Sequence, residues 1–211
     1  MIKKILVGAF ALSTIVGVAN AQDNPSWSGP YIGVSLNDNS LRERWSSDEE
    51  FSNNINSGRK SSIAASVFLG TNTVFKDQLL YGFEADLGTG TAKNYSDYVD
   101  ATGEATFLGH AKLRLGYIAG RFLPYVGLGI AVGGFTHDVY PGDNNDKKED
   151  ILFGTSLTAG LEFAASDHVR LRAEYVADEF STAGMGDDDW GDSFYAKPEI
   201  NTFKIGVAYN F

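Results

Sequence analysis

The sequence predicts an all-β fold: an eight-stranded, antiparallel, up-and-down transmembrane β-barrel behind an N-terminal signal peptide. Three observations predict it. The last eleven residues alternate without exception, seven further segments alternate in the same way, and the spacers between them are long and short in strict turn. In Asn201–Phe211, the residues Phe203, Ile205, Val207, Tyr209 and Phe211 share one face. Thr202, Lys204, Gly206, Ala208 and Asn210 share the other. A strand sends successive side chains to opposite faces, so this segment has one wholly apolar face and one polar, small-residue face. By itself it also suits the last strand of a soluble β-sandwich. A transmembrane barrel, however, has to end on a strand that pairs with the first and closes the sheet.

The N-terminus predicts export. Lys3 and Lys4 precede a mostly apolar run, Ile5–Val18, and Ala19-Asn20-Ala21 has the form of a cleavage site, so residues 1–21 are expected to be a signal peptide and 22–211 the barrel domain. The rival, a membrane helix, needs about 20 apolar residues, and Asn20 and Asp23 close this run too early. Removing the signal takes two lysines and no acids, which moves the net charge from −10 to −12. That acidity argues against nucleic-acid binding, which needs a basic face. The absence of cysteine excludes disulfides, thiol catalysis and Cys-ligated metal. A mean hydropathy of −0.16 is compatible with a barrel, because half of every strand faces a polar lumen.

The strands follow in order. The first runs from Tyr31 to about Leu36, with Ile32, Val34 and Leu36 outward. The second covers about Ser61–Gly70 (Ile63, Ala65, Val67 and Leu69 outward), and the third about Leu79–Gly88. In the third, Leu79, Tyr81, Phe83, Ala85 and Leu87 oppose Gly82, Glu84, Asp86 and Gly88. The fourth, about Thr106–Ile118, sets Leu113, Leu115 and Tyr117 against His110, Lys112 and Arg114. The fifth is about Pro124–Gly134, with Val126, Leu128 and Ile130 outward. The sixth, about Ile151–Ala164, turns Glu162 inward, and the seventh, about His168–Asp178, turns Arg170, Arg172, Glu174 and Asp178 inward. No charge falls on an outward face so placed, as hydrocarbon requires.

Long polar spacers, Asn37–Lys60, Thr89–Ala105, Phe135–Asp150 and Glu179–Ile200, alternate with short ones, Thr71–Gln78, Ala119–Leu123 and Ala165–Asp167. Long external loops and short periplasmic turns are the rule in outer-membrane barrels, and an even strand count puts both termini in the periplasm. Aromatics gather at strand ends. Trp27, Tyr31, Phe75, Tyr117, Phe122, Phe163, Tyr209 and Phe211 are expected at the periplasmic girdle, and Phe107, Phe135, Phe153, Phe180 and Phe203 at the outer one.

Four motifs carry a family resemblance: Trp27-x-Gly29-x-Tyr31-x-Gly33, the segment Gly70 with Tyr81-Gly82-Phe83-Glu84-Ala85-Asp86, Leu123-Pro124-Tyr125-Val126-Gly127, and the terminal Phe211. Together, and in this order, they resemble the small outer-membrane barrels of OmpA type, especially the abundant, porin-like surface proteins of alphaproteobacteria. The resemblance spans nearly the whole chain after the signal. It implies an eight-stranded barrel in the Gram-negative outer membrane with a structural or host-interaction role. Unlike OmpA, the sequence stops at the barrel, so no peptidoglycan-binding domain is expected.

Inward parity collects Lys112, Arg114, Arg170, Arg172 and Lys204 with Glu84, Asp86, Glu162, Glu174 and Asp178. Eight strands leave a bore just wide enough for side chains, and buried charges must be paired. The expectation is an ion-pair network that plugs the barrel, with Glu84 or Asp86 meeting Lys112 or Arg114; the alternative is a narrow or gated small-solute channel. An outer-membrane lipid hydrolase is a further alternative, since His168 sits beside Ser166 and Asp167, but neighbours on one turn make no triad. Neither His110 nor His137 adds a nucleophile and base. The acidic run Gly186–Asp192 lacks the spacing of an EF-hand and is expected to be a solvated tip rather than a Ca²⁺ site. No catalytic residue, cofactor or metal ligand is expected.

The functional expectation is therefore a monomeric surface protein that supports envelope integrity and acts through its loops, with Trp45 and Trp190 as contact candidates. Its expected partners are outer-membrane lipid and lipopolysaccharide, periplasmic chaperones and the barrel-assembly machinery during biogenesis, and a surface or host partner at the loops. The register also predicts that Val207→Lys harms the barrel more than Ala208→Lys.

Overall fold

The computed structural model describes residues 26–46, 55–56, 60–76, 78–90, 93–96, 101–139, 147–187 and 193–211. The expected signal peptide, Met1–Ala21, lies outside them. Eight long strands form the wall: β1 (Gly29–Ser46), β2 (Lys60–Phe75), β3 (Leu79–Thr89), β4 (Ala101–Tyr117), β5 (Phe122–Val139), β6 (Lys147–Ala164), β7 (Val169–Phe180) and β8 (Ser193–Asn210). Each pairs antiparallel with the next. The sheet closes where β8 pairs β1, from Tyr31↔Asn210 to Ser46↔Tyr195. Every wall strand therefore has a neighbour on both sides, which a membrane demands of backbone polar groups.

The short connections are tight. Between β4 and β5, Ala119 and Phe122 exchange backbone hydrogen bonds of 2.8 and 3.1 Å around Gly120, whose φ is +62°. A positive φ at the first central position suits a two-residue hairpin turn, and glycine adopts it without steric cost.

Outward faces are as parity predicts. Ile32, Val34, Leu36, Val67, Leu69, Phe83, Leu113, Leu128, Phe153, Leu171 and Ile205 are all exposed apolar side chains. They form the lipid-facing belt. Phe75, Tyr117, Phe122, Tyr209 and Phe211 point outward at its periplasmic edge, and Phe153 and Phe203 do so at the other. The Phe122 and Phe163 rings meet at a tilt, 5.1 Å apart, and Tyr209 and Phe211 meet edge-on at 5.3 Å.

Four aromatics expected in the girdles are inside the barrel instead. Trp27, Tyr31, Phe135 and Phe180 are each no more than 2% exposed. Parity explains the last three: Tyr31 shares its face with Gly33 and Ser35, Phe135 with Ala131 and Gly133, and Phe180 with Glu174 and Asp178.

The long spacers are also shorter than expected, because the strands continue through them. Asn37–Ser46 belongs to β1, Phe135–Val139 to β5, Lys147–Asp150 to β6 and Ser193–Ile200 to β8. Ala183–Asp187 pairs with β8, Lys93–Ser96 with β4 and Ile55–Asn56 with β1. Here the alternation persists but its chemistry inverts. Leu41, Leu108, Phe135, Leu152, Phe180 and Ile200 point inward and form one buried cluster. The outer face of the same stretch carries Asp38, Arg42, Arg44, Glu179, Lys197 and Glu199. Beyond the membrane the outside of the wall meets water, so the apolar face turns in.

Candidate functional site: the filled lumen

The interior is packed in three layers along the barrel axis. The middle layer is ionic and rests on inward positions of β3, β4, β6, β7 and β8. Arg114 on β4 donates to Glu84 Oε2 at 2.9 Å and to Glu162 Oε1 at 2.6 Å. Arg172 on β7 donates to the same two oxygens, each at 2.7 Å. Two guanidiniums and two carboxylates thus form a closed square across the bore. Lys112 Nζ lies 2.8 Å from Glu174, 3.1 Å from Glu84 and 3.6 Å from Asp86. Lys204 Nζ lies 3.0 Å from Asp86. Arg170 stands at the edge of the set, with Glu162 at 3.8 Å. The structure brings together nine of the ten charged residues that parity gathered, all but Asp178.

It adds residues that parity had not drawn into it. The Tyr31 hydroxyl donates to Glu84 at 2.7 Å and accepts from Arg114 at 2.5 Å. The Tyr125 hydroxyl donates to Glu174 at 2.6 Å, and its ring lies 3.9 Å beneath the Arg114 guanidinium. Phe68 supports Arg172 in the same way at 4.1 Å. His110 spans two carboxylates, Asp86 at 2.8 Å and Asp178 at 3.0 Å. Asp178, the tenth inward charge, is held by this imidazole. The aromatic faces and hydroxyls satisfy sides of the ions that the opposite charges leave open, which is the condition for keeping charges in a low dielectric.

The apolar cluster around Phe135 and Phe180, whose rings meet edge-on at 4.9 Å, caps the network on the extracellular side. Trp27 caps it on the periplasmic side, packed with Leu80, Leu123 and Ala164. Its indole Nε1 donates to the Gly120 carbonyl at 3.2 Å, and Arg170 lies over its ring at 4.8 Å while donating to the Ser26 carbonyl at 2.9 Å. Between these caps, the gap around Phe68, Glu84, Arg172 and Lys204 has no room for a water-sized sphere.

The remaining sequence candidates are placed as follows. Phe203, Ile205, Val207, Tyr209 and Phe211 all point out of the barrel. Trp45 lies in β1 opposite Ala196, with its side chain outside the described residues, as are Trp190 and the side chain of His137. Of the acidic run, Gly186 and Asp187 pair with Phe194 and Ser193, and the rest lies outside the described residues. His168 Nδ1 faces the Asn210 carbonyl at 3.0 Å, and its ring stacks on Tyr209. Ser166 Oγ accepts from the Val169 amide at 3.1 Å. Among the described residues no group of three or more His, Cys, Asp or Glu side chains is arranged to hold a metal ion.

The comparisons with known proteins agree with this architecture. Residues 8–211 match the family described as the outer membrane protein beta-barrel domain. The 25 kDa outer-membrane immunogenic protein of Brucella canis is 27% identical over 186 residues, covering 88% of this chain and 80% of the relative. The 22 kDa outer membrane protein of Rhizobium leguminosarum bv. viciae is 31% identical over 149 residues, covering 69% and 64%. Among solved structures, the outer membrane protein OprG of Pseudomonas aeruginosa superposes with a TM-score of 0.55 at 13% identity, over 87% of this chain and 97% of that one, which is a likeness of fold. The chain belongs to the outer-membrane β-barrel protein family of alphaproteobacterial type, and sits in the outer membrane with both termini in the periplasm.

Proposed function

We propose that this protein is a solid anchor, and that it acts through what it presents above the membrane. The observation that carries the reading is the lumen: an ionic layer paired from wall to wall, closed by apolar clusters at both ends. A solute would have to break several buried ion pairs and displace Trp27 and Phe135, each step costing several kcal/mol. The extended strands then supply a rigid stalk for the segments between Ser46 and Ile55 and between Asp187 and Ser193. Acidic groups in those segments favour basic partners or cation-bridged contact with lipopolysaccharide. The Brucella relatives are named immunogenic outer-membrane proteins, a name compatible with display of such a stalk above the membrane. The structural role in the envelope rests on the closed barrel itself.

Among the described residues the hydrolase alternative finds little support: Ser166 Oγ accepts from the Val169 amide and His168 Nδ1 faces the Asn210 carbonyl, so both are engaged with backbone groups. We therefore read the protein as non-enzymatic.

Planar-bilayer recording tests the reading against the channel alternative. The purified barrel is expected to give no steady conductance above that of the bare membrane. A steady ohmic conductance that disappears when the lumen is filled further would move the function to the pore. On cells, shortening only residues 47–54 and 188–192 is expected to leave a heat-modifiable barrel without surface binding.

A further inference from the structure

The extracellular half of the lipid-facing wall contains a groove of about 970 Å³ that crosses from β8 over β1, β2 and β3 to β4. Its floor is the Ala65 methyl together with the backbone of Gly88 and Gly206. Long apolar side chains flank it: Leu36, Leu87, Phe107 and Ile205. It begins at mid-depth in the belt, beside Val67 and Val207, and reaches the outer edge at the hydroxyls of Thr89 and Thr106. Thr89 Oγ accepts the Ala65 amide at 3.3 Å, which leaves its own proton for an acceptor in the groove.

The lining decides the chemistry of an occupant. The lining carries no charge. Ser35 and Ser66 also line it, but both are buried and their hydroxyls bond each other and Asn37. The exposed polar side chains of the lining are therefore Thr89 and Thr106, so the occupant is apolar along most of its length and accepts hydrogen bonds at the outer end. The volume is at the upper end of the range of about 300–1,000 Å³ that suits small-molecule sites. The groove is continuous with the belt, where fatty chains already cover the wall. A chain lying between these flanking side chains keeps more dispersion contact than a chain on a smooth convex wall. A second copy of the barrel is a poor occupant, because a two-fold interface would set groove against groove and leave a void.

We propose that this groove holds one acyl chain of an outer-leaflet glycolipid, the lipid A portion of lipopolysaccharide, with an ester carbonyl at Thr89 and Thr106. The lipid is then a fixed companion of one wall and not a passing neighbour of all of them.

Native mass spectrometry of the full-length mature barrel, refolded in detergent with purified lipid A added, reads this directly. The wild type is expected to keep one lipid A after the detergent is stripped. Ala65→Phe fills the floor and is expected to reduce the lipid-bound fraction at least tenfold. Ala159→Phe, an equally apolar change on β6 across the barrel, is expected to leave it unchanged. Both variants keep an apolar outward face, and heat-modifiable migration on gels verifies that they fold. Equal retention by all three proteins overturns the proposal, as does equal retention of phosphatidylethanolamine by the wild type, or a dimer that Ala65→Phe alone dissociates.

Discussion

The membrane belt and the extracellular extension are built from the same strands in the same register, yet their chemistry is opposite. On β8, Ile205 and Val207 face out while Lys204 faces in among carboxylates. A few residues earlier, Lys197 and Glu199 face out while Ile200 and Ala196 are fully buried inside. The backbone is indifferent to the change, because both stretches are continuous ladders with β1 and most of the boundary with β7 is paired too. What changes is the solvent outside. Hydrocarbon forbids charge on the outer face, so polar side chains collect in the bore and must satisfy one another. Water permits charge outside, so the bore above the membrane fills as an ordinary hydrophobic core does. One wall therefore holds two interiors with different failure modes.

The largest effect is expected where the belt interior is broken. Arg114→Met removes a guanidinium that serves both Glu84 and Glu162, and leaves Arg172 as the only cation bridging the two, with Lys112 beside Glu84 and Arg170 at 3.8 Å from Glu162. Breaking a buried pair from one side typically costs about 3–5 kcal/mol. Urea unfolding in lipid vesicles measures it. The double variant Arg114→Met with Glu162→Gln removes one of the stranded charges and is expected to regain part of that loss. No recovery would mean that the cost is packing against Tyr125 and not charge.

The second effect concerns the outer faces. Val207→Lys places a charge at mid-belt and is expected to cost about 2–4 kcal/mol. Asp38→Lys exchanges one charge for another on the outer face of β1 just above Leu36, and is expected within about 1 kcal/mol of zero. The same unfolding series compares them, and similar losses would place the membrane boundary wrongly. The sequence expectation that Ala208→Lys is the milder neighbour of Val207→Lys does not survive. Ala208 is 3% exposed, in contact with Tyr31 and Phe68, so a lysine there has neither room nor a partner.

How much of this was legible depends on which signal each residue gave. The eight-stranded barrel and the ten inward charges follow from period-two alternation, which a half-buried strand cannot disguise. Tyr31, Phe135 and Phe180 have the parity of inward residues, and it outweighs their aromatic identity; Trp27 lies before β1, where no strand parity applies, and its burial against Leu80, Leu123 and Ala164 is a tertiary contact. His110 was placed inward correctly, but its pairing with Asp178 joins β4 to β7 across the bore, and no local pattern encodes such a contact. The extension reads as loop in the sequence because its outward face is polar, and an apolar outward face marks a strand only within the membrane. Leu41 and Ile200 alternate as regularly as Val34 and Val207, only on the other side.

The smallest expected effect lies on the outer face of the extension and completes the contrast with Arg114. Arg44 on β1 pairs with Glu199 at 2.5 Å and stands 3.8 Å from Glu179, to which Lys197 also donates. On paper this is a cluster much like the one in the lumen, with arginine and lysine shared between two glutamates. Its surroundings differ: the Glu179 side chain is 54% exposed and that of Arg44 is 27% exposed, whereas Arg114 and Glu84 are buried to within a percent. Water screens the outer cluster, and solvating the separated ions costs little, so Arg44→Ala is expected to lower stability by no more than about 1 kcal/mol. Salt separates the two clusters further. With a Debye length of about 3 Å in molar salt, the contribution of Arg44 should vanish in 1 M salt, while that of Arg114 should persist because ions do not enter the packed bore. Unfolding both variants at low and high salt measures this difference. An Arg44 effect that resists salt, or an Arg114 effect that fades with it, would show that the two interiors are not as distinct as their packing makes them.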